Sequence, residues 1–306
     1  RIWVADAVGS TPRRLTDEPR PREFMPAWSP DGRWIAYVTW TEEGGHLWKA
    51  SAAGGVPERL SDAPALWADP VWTPDGNAVI ALRASLGAAA SVPSLGPGTA
   101  VPPSADIVSV PTNGGAHRTI ASSNGLRFPH FGPATDAVYL SSGEAGLLRF
   151  PLAGGPPETV ATMAGPPAAE LRISPDGRFV AVRAGPSVIR VQMPVAVAAG
   201  PVPLTHEGPS LTSAGATSVA WTPDGTSLLW TEGPRIGRAG TDGATPPTTT
   251  PFGVEVPRAT STGTVVLSGA KLVTMRGDEV IERGDVVVTN GRITWVGPTG
   301  TQPPDG

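Results

Sequence analysis

The chain contains no cysteine. Disulfides, thiolate metal sites and a cysteine nucleophile are excluded, although this alone does not fix the compartment. Histidine is scarce as well, limited to His46, His117, His130 and His206. No two of them stand at metal-ligand spacing, and each lone imidazole reads as a surface or turn residue. No apolar run reaches the ~20 residues that a membrane helix needs. Long charge runs are missing, and a net charge of −4 leaves no basic footprint for nucleic acid. There is no Gly-x-Ser-x-Gly elbow, Walker loop, dinucleotide-binding glycine pattern or EF-hand loop. The sequence begins inside a strand pattern, with neither an initiator Met nor a signal peptide, so Arg1 is not expected to be the natural start.

Aromatic residues make up only 6%, yet 10 of them are Trp. Gly and Pro are abundant, at 38 and 36 residues. Such a load suggests disorder unless a repeat organises it into short strands and turns. The stretch from Met25 to Leu60 supplies that unit. A first strand runs into Trp28, and Pro30-Asp31-Gly32 makes a tight turn. In the second strand Trp34, Ala36 and Val38 take one face, and Ile35 and Tyr37 the other. A third strand surrounds Leu47 and Trp48. Gly54-Gly55 turns into a fourth, which ends near Leu60.

The unit recurs. Trp72-Thr73-Pro74-Asp75-Gly76, Ile173-Ser174-Pro175-Asp176-Gly177 and Trp221-Thr222-Pro223-Asp224-Gly225 repeat the turn, and Phe131-Gly132-Pro133 is a worn copy. Successive anchors are 44, 59, 42 and 48 residues apart. The second half recurs too, at Ile107–Val110 with Gly114-Gly115, at Leu148–Phe150 with Gly154-Gly155, and at Ile236–Arg238 with Asp242-Gly243. A four-strand unit of this length is the signature of a β-propeller blade. A β-sandwich has no reason to repeat one turn at blade spacing. The repeat resembles that of the TolB-like propellers, which carry Trp-Ser-Pro-Asp-Gly at the first turn. The resemblance covers roughly residues 1–255 and implies a periplasmic or secreted protein.

In order, residues 1–20 read as the trailing half of a blade. Residues 21–65, 66–122, 123–166, 167–207 and 208–255 read as five full blades. The intact ring is then expected to have six or seven blades. Ser85–Ala105 is an insertion of small and apolar residues, read as a tolerated surface loop that cannot form a packed element. The tail of the fourth blade, Met193–Pro203, lacks the Gly-Gly turn.

After Pro257 the pattern becomes a three-strand meander: Gly263–Met275, Ile281–Val288, the hairpin turn Asn290-Gly291, and Arg292–Gly297. The ordered pieces Ala270-Lys271-Leu272-Val273, Gly284-Asp285-Val286-Val287-Val288 and Gly291–Gly297 resemble the opening β-sandwich of the amidohydrolase superfamily. This second domain, residues 256–306, would precede a metal-binding barrel. A TolB-like propeller followed by an amidohydrolase is a bacterial arrangement, and the chain resembles a fragment of one. The resemblance implies a hydrolase acting on non-peptide carbon–nitrogen bonds, such as a cyclic amide, with a zinc-type divalent metal. Its first ligands would form a His-x-His pair, which does not occur up to Gly306. No catalytic, cofactor-binding or metal residue is therefore assigned within these residues, and they are expected to be inactive alone.

Asp31, Asp75, Asp176 and Asp224 have a sufficient role in their turns. Trp28, Trp72 and Trp221 are expected to be blade core. Beside the hydrolase reading stand a non-catalytic propeller that binds a partner protein on one face, and a propeller-gated serine peptidase. The meander disfavours the peptidase, whose second domain would be an α/β-hydrolase.

Overall fold

A computed structural model describes residues 1–6, 11–16, 21–90, 101–165, 167–194, 200–205, 207–212, 215–243, 245–254 and 261–301. The chain divides into two compact units, Arg1–Val254 and Glu255–Gly306.

The first unit opens with a two-stranded sheet, β1 (Trp3–Val4) and β2 (Arg13–Arg14). The first repeat forms an antiparallel sheet of β3 (Arg22–Trp28), β4 (Trp34–Trp40), β5 (Leu47–Ser51) and β6 (Glu58–Arg59). The second forms β7 (Leu66–Trp72), β8 (Ala78–Ala84), β9 (Asp106–Pro111) and β10 (Arg118–Ser122), with helix α1 (Leu86–Ala90) after β8. The third comprises β11 (Arg127–His130), β12 (Ala137–Ser142), β13 (Gly146–Pro151) and β14 (Glu158–Met163). The fourth has, among the described residues, three strands of its own, β15 (Glu170–Ile173), β16 (Phe179–Ala184) and β17 (Ser187–Gln192). Its next strand, β18 (Val202–Leu204), pairs in parallel with β14 of the third sheet. The fifth returns to four, β19 (Ser218–Trp221), β20 (Ser227–Glu232), β21 (Arg235–Gly240) and β22 (Thr248–Pro251).

Two expectations change here. Among the described residues the fourth repeat forms no fourth strand on its own sheet: its tail lacks a Gly-Gly turn, and buried Leu204 joins Ala161 and Met163 on the neighbouring edge. Part of the Ser85–Ala105 insertion is ordered, with Leu86–Ala90 helical and Ala105 buried. The Ala105 carbonyl accepts the Ser123 N–H, so the end of the insertion is tied to the residue just after β10. Residues 91–100 lie outside the described residues.

The turn chemistry is the same in four repeats. The Ser29, Thr73, Ser174 and Thr222 hydroxyls each donate to the aspartate two residues on, at 2.6 Å. Each also accepts the backbone N–H five residues on, at 2.9–3.0 Å. The same aspartates accept the N–H of Arg33, Asn77, Arg178 and Thr226. Glycine closes each turn because its φ is near +70°, a region costly to other residues.

The period of two in the second strands assigns alternate residues to different neighbours. Ala36 and Val38 share a buried cluster with Trp72, Val79 and Ala81 of the second sheet. Ile35 and Tyr37 pack with Ile2 on the other side. In the same way Ile80 and Leu82 pack with Leu126, Val138 and Leu140 of the third sheet. Each buried Val, Ile or Leu among them contributes about 1.5–3 kcal/mol by leaving water. The first strands of successive sheets touch one another and so lie innermost.

Basic side chains reach from one sheet to the next. Arg13 donates to the Ala52 carbonyl, Lys49 to Thr112, Arg118 to Leu152 and Arg190 to Gly240. All four carbonyls sit at the end of a third strand or just beyond it, so one basic latch recurs between neighbours.

The second unit is an antiparallel meander, β23 (Thr264–Val273), β24 (Val280–Thr289) and β25 (Arg292–Pro298). Asn290 and Gly291 both take positive φ, as a two-residue hairpin turn between twisted strands requires. The register shifts around Gly269, the glycine inside the first strand. Val265, Leu267, Ile293 and Val296 remain exposed.

Candidate binding site

The anchor tryptophans lock neighbouring sheets. The Trp72 indole N–H donates to the Ala27 carbonyl at 3.0 Å, and Trp221 donates to Arg172 at 2.9 Å. Both acceptors lie one residue before the anchor of the preceding repeat. Trp28 departs from the expected core role and is 51% exposed. Among the described residues the sheet before it is β1–β2, which offers no first strand for its indole. In the fourth repeat the anchor is Ile173, and its backbone N–H donates to the His130 Nε2 at 3.0 Å.

Between the first two sheets, at their Pro-Asp-Gly turns, lies a cavity of ≈ 320 Å³. Trp34 and Trp72 contribute aromatic surface, the turns contribute Asp31 and Asp75, and Lys49 and Arg33 contribute cations. Lys49 is nearly buried. Its ammonium lies 4.5 Å from the centroid of the Trp34 ring, donates to the Thr112 carbonyl at 2.8 Å and pairs with Glu58 at 3.1 Å.

The seam between the fourth and fifth sheets carries the same parts. Phe179 occupies the place of Trp34, Arg190 that of Lys49 and Trp221 that of Trp72. Here the ring closes the gap. Phe179 stacks on Trp221 at 6.3 Å with 29° between planes, and a Cβ at Gly225 would meet Pro175 and Asp176 in ordinary contact. A Cβ at Gly76, the equivalent glycine, would meet nothing within 4 Å. No ring contact joins Trp34 to Trp72 among the described residues.

Five buried side-chain polar atoms lack a hydrogen-bond partner among the described residues, and none lines this cavity. Three of them, Trp67 Nε1, Arg83 Nε and His117 Nδ1, group at the opposite end of β7 and β8 from Trp72. Trp67 packs in the cluster shared by the first two sheets, with the His117 ring edge-on at 6.0 Å and the Arg83 guanidinium 5.8 Å away.

The inner strands contrast with this seam. Met25, Asp69 and Phe128, each three residues before its anchor, adopt positive φ without being glycine. Each sits at a bulge in its first strand. Such backbone costs of order 1–3 kcal/mol per residue and persists where the surroundings impose it. They do so here. Arg127 grips Asp69 with two bonds of 2.9 Å, and Glu170 holds Arg172 at 2.5 Å and Arg183 at 3.0 Å. Because these charges satisfy one another, the cluster braces the strands and offers little unmet chemistry.

The histidines are dispersed. His46 bonds Ser61 at 2.8 Å, and burial with nearby Arg59 holds its imidazole below the usual range. His117 stands 3.7 Å from Asp62. His130 is buried rather than a surface or turn residue. Burial, aided by Arg172, pushes its imidazole down to about 3, so it stays neutral and accepts the Ile173 N–H. His206 lies outside the described residues. Among the described residues no three His, Asp or Glu side chains come together to hold a metal ion, and no helix is long and apolar enough to cross a membrane.

No protein-family model matches the chain by sequence, and no curated protein matches it. In three dimensions it is similar to TolB from Acinetobacter baumannii, with a TM-score of 0.58 and 19% identity over 79% of this chain and 57% of that one. The fold is an all-β, TolB-like propeller. The putative TolB from Agrobacterium tumefaciens gives a TM-score of 0.54 and 19% identity over 78% of this chain and 83% of that one. An oligogalacturonate lyase in complex with manganese gives 0.51 and 16% over 78% and 67%. The propeller thus spans 57% of the length of the Acinetobacter TolB.

The sequence pointed to the turns but not to the seam. Trp34, Lys49, Thr112 and Asp75 come from different strands and turns, and their convergence depends on how two sheets lean together. The available signal was the equivalence of Lys49 and Arg190, each two residues before the partner of the first residue in its second strand.

Proposed function

We propose that this chain is a non-catalytic binding propeller that receives an aromatic side chain of a partner protein in the seam between its first two blades. The observation that carries this reading is the open seam itself. The same parts close on their own ring at Phe179 and Trp221, while Trp34 and Trp72 leave room for a ring from outside. A pocket of this size suits a single buried anchor residue. Aromatic anchors in such pockets carry much of the energy of protein interfaces. The test is cross-linking capture with the wild-type chain and with Trp34→Ala. A specific partner retained by wild type and lost by the variant is expected. Equal retention by both would remove the seam from the reading, and no specific partner would remove the reading.

A second reading rests on the meander. Its three strands, with the Asn290-Gly291 hairpin between the last two, support this reading only through the sequence resemblance to the amidohydrolase opening. On this reading the chain is the leading part of a zinc-type, metal-dependent hydrolase of cyclic amides, periplasmic or secreted. The residues described here do not fit such a metal, so no step is assigned to them. Coding sequence after Gly306 that carries a His-x-His pair on a predicted strand supports this reading; coding sequence without one counts against it.

A further inference from the structure

Charge at the open seam is matched at every group but one. Asp31 pairs with Arg33 at 2.7 Å, and Lys49 pairs with Glu58 at 3.1 Å. Asp75 is met only by neutral groups, the Thr73 hydroxyl, the Asn77 N–H and the Asn77 side-chain amide. It has no ion-pair partner among the described residues. Those bonds, Thr73 first, hold its carboxyl below the usual range, so it is charged at neutral pH. The mouth of the cavity therefore carries one unmatched negative charge beside aromatic walls.

We infer that the partner residue entering this seam is an aromatic one followed directly by a basic one, its ring lodging beside Trp34 and Trp72 and its cation meeting Asp75. This rests on the reading of the seam as a partner-binding site. The cations that flank Phe179 at the closed seam, Arg178 and Arg190 at 5.7 Å and 5.2 Å, have as equivalents at the open seam Arg33 and Lys49, which are already paired with Asp31 and Glu58, so a cation for Asp75 has to come from the partner. A neutral partner ring would leave Asp75 facing only water and dipoles. An acidic neighbour would add repulsion with Asp75 to the loss of hydration on binding.

The test is an NMR titration of the whole chain with three capped dipeptides, acetyl-Phe-Lys-amide, acetyl-Phe-Gln-amide and acetyl-Phe-Glu-amide, read at the indole N–H signals. The lysine peptide is expected to bind about three-fold tighter than the glutamine peptide at low salt, with the glutamate peptide weakest. Raising salt to about 0.5 M should erase most of that advantage. Asp75→Asn should abolish the preference. Asp224→Asn alters the same turn residue at the closed seam and should leave the preference intact. Equal binding of the lysine and glutamine peptides overturns the inference while the seam reading stands. Failure of all three peptides to bind removes both. A preference that survives Asp75→Asn, or disappears in Asp224→Asn, also overturns the inference. If Asp75→Asn fails to fold, the peptide series on the wild-type chain still decides between these outcomes.

Discussion

Between the first and second blades, Trp34 and Trp72 line a cavity; between the fourth and fifth, Phe179 lies against Trp221. The turn networks at the two seams match bond for bond, and so do the indole locks to Ala27 and Arg172. The opening is therefore not a failure of the repeat. It arises where one ring stands on its own sheet with Lys49 and the other reaches its neighbour. A repeat fold can keep its scaffold constant and use one aromatic position as either a plug or a doorway.

The largest expected effect separates these two roles. Phe179→Ala should cost about 2–3 kcal/mol, because it leaves a gap against Trp221. Trp34→Ala at the equivalent position should cost about 1 kcal/mol, since its gap already exists. Urea denaturation of both variants makes the comparison, and a larger loss in Trp34→Ala would break it.

The locks should behave alike. Trp72→Phe and Trp221→Phe each leave one partly buried carbonyl without its indole donor, a cost of about 1 kcal/mol. Similar shifts in denaturation midpoint are expected from both. A marked inequality would mean that the open seam is loosened at its inner end as well.

A third prediction concerns the seam between the third and fourth blades, where His130 replaces an indole as the bridge. The native state holds this imidazole down to about 3, while the unfolded chain accepts the proton near 6.5. Stability from this site is therefore full above pH 6.5 and declines as pH falls toward 3. His46, also shifted downward, adds a smaller change of the same sign. Midpoints measured at intervals between pH 7 and 4.5 should fall in wild type and flatten in His130→Gln.

The smallest effect belongs to the turn aspartates. Their hydroxyl and backbone donors, led by Thr222 at Asp224, lower Asp224 from 3.8 to about 2. Asp31 shifts the same way, led by the Ser29 bond. At Asp176 partial burial opposes the shift, and the Ser174 and Arg178 bonds outweigh it. Stability from these groups is full above pH 3.8 and is lost only as pH falls below it. Asn at any one of the four should lower the midpoint slightly at pH 7, where the ionised carboxylate contributes in full, and shallow the acid limb below pH 4.

The blades were legible because Pro-Asp-Gly and alternating strands are local signals. The structure even divides Ala36 and Val38 from Ile35 and Tyr37 as the period of two requires. Trp28 misled because an anchor indole needs a preceding first strand, and that need is invisible in its own repeat. The left-handed Met25, Asp69 and Phe128 carry no sequence mark, since glycine, the usual sign of positive φ, is absent there. The departure of β18 was hinted at only by a missing Gly-Gly turn. The candidate site was the least legible, because it depends on the lean of one ring across a seam and not on any motif.

Two double-mutant cycles test the central claim most directly. One pairs Phe179→Ala with Trp221→Ala, and the other pairs Trp34→Ala with Trp72→Ala, each read as unfolding free energy. The account predicts coupling of about 1 kcal/mol for Phe179 with Trp221, as for stacked rings, and coupling near zero for Trp34 with Trp72. Equal couplings at the two seams would contradict it, because the first seam would then be closed by its own rings.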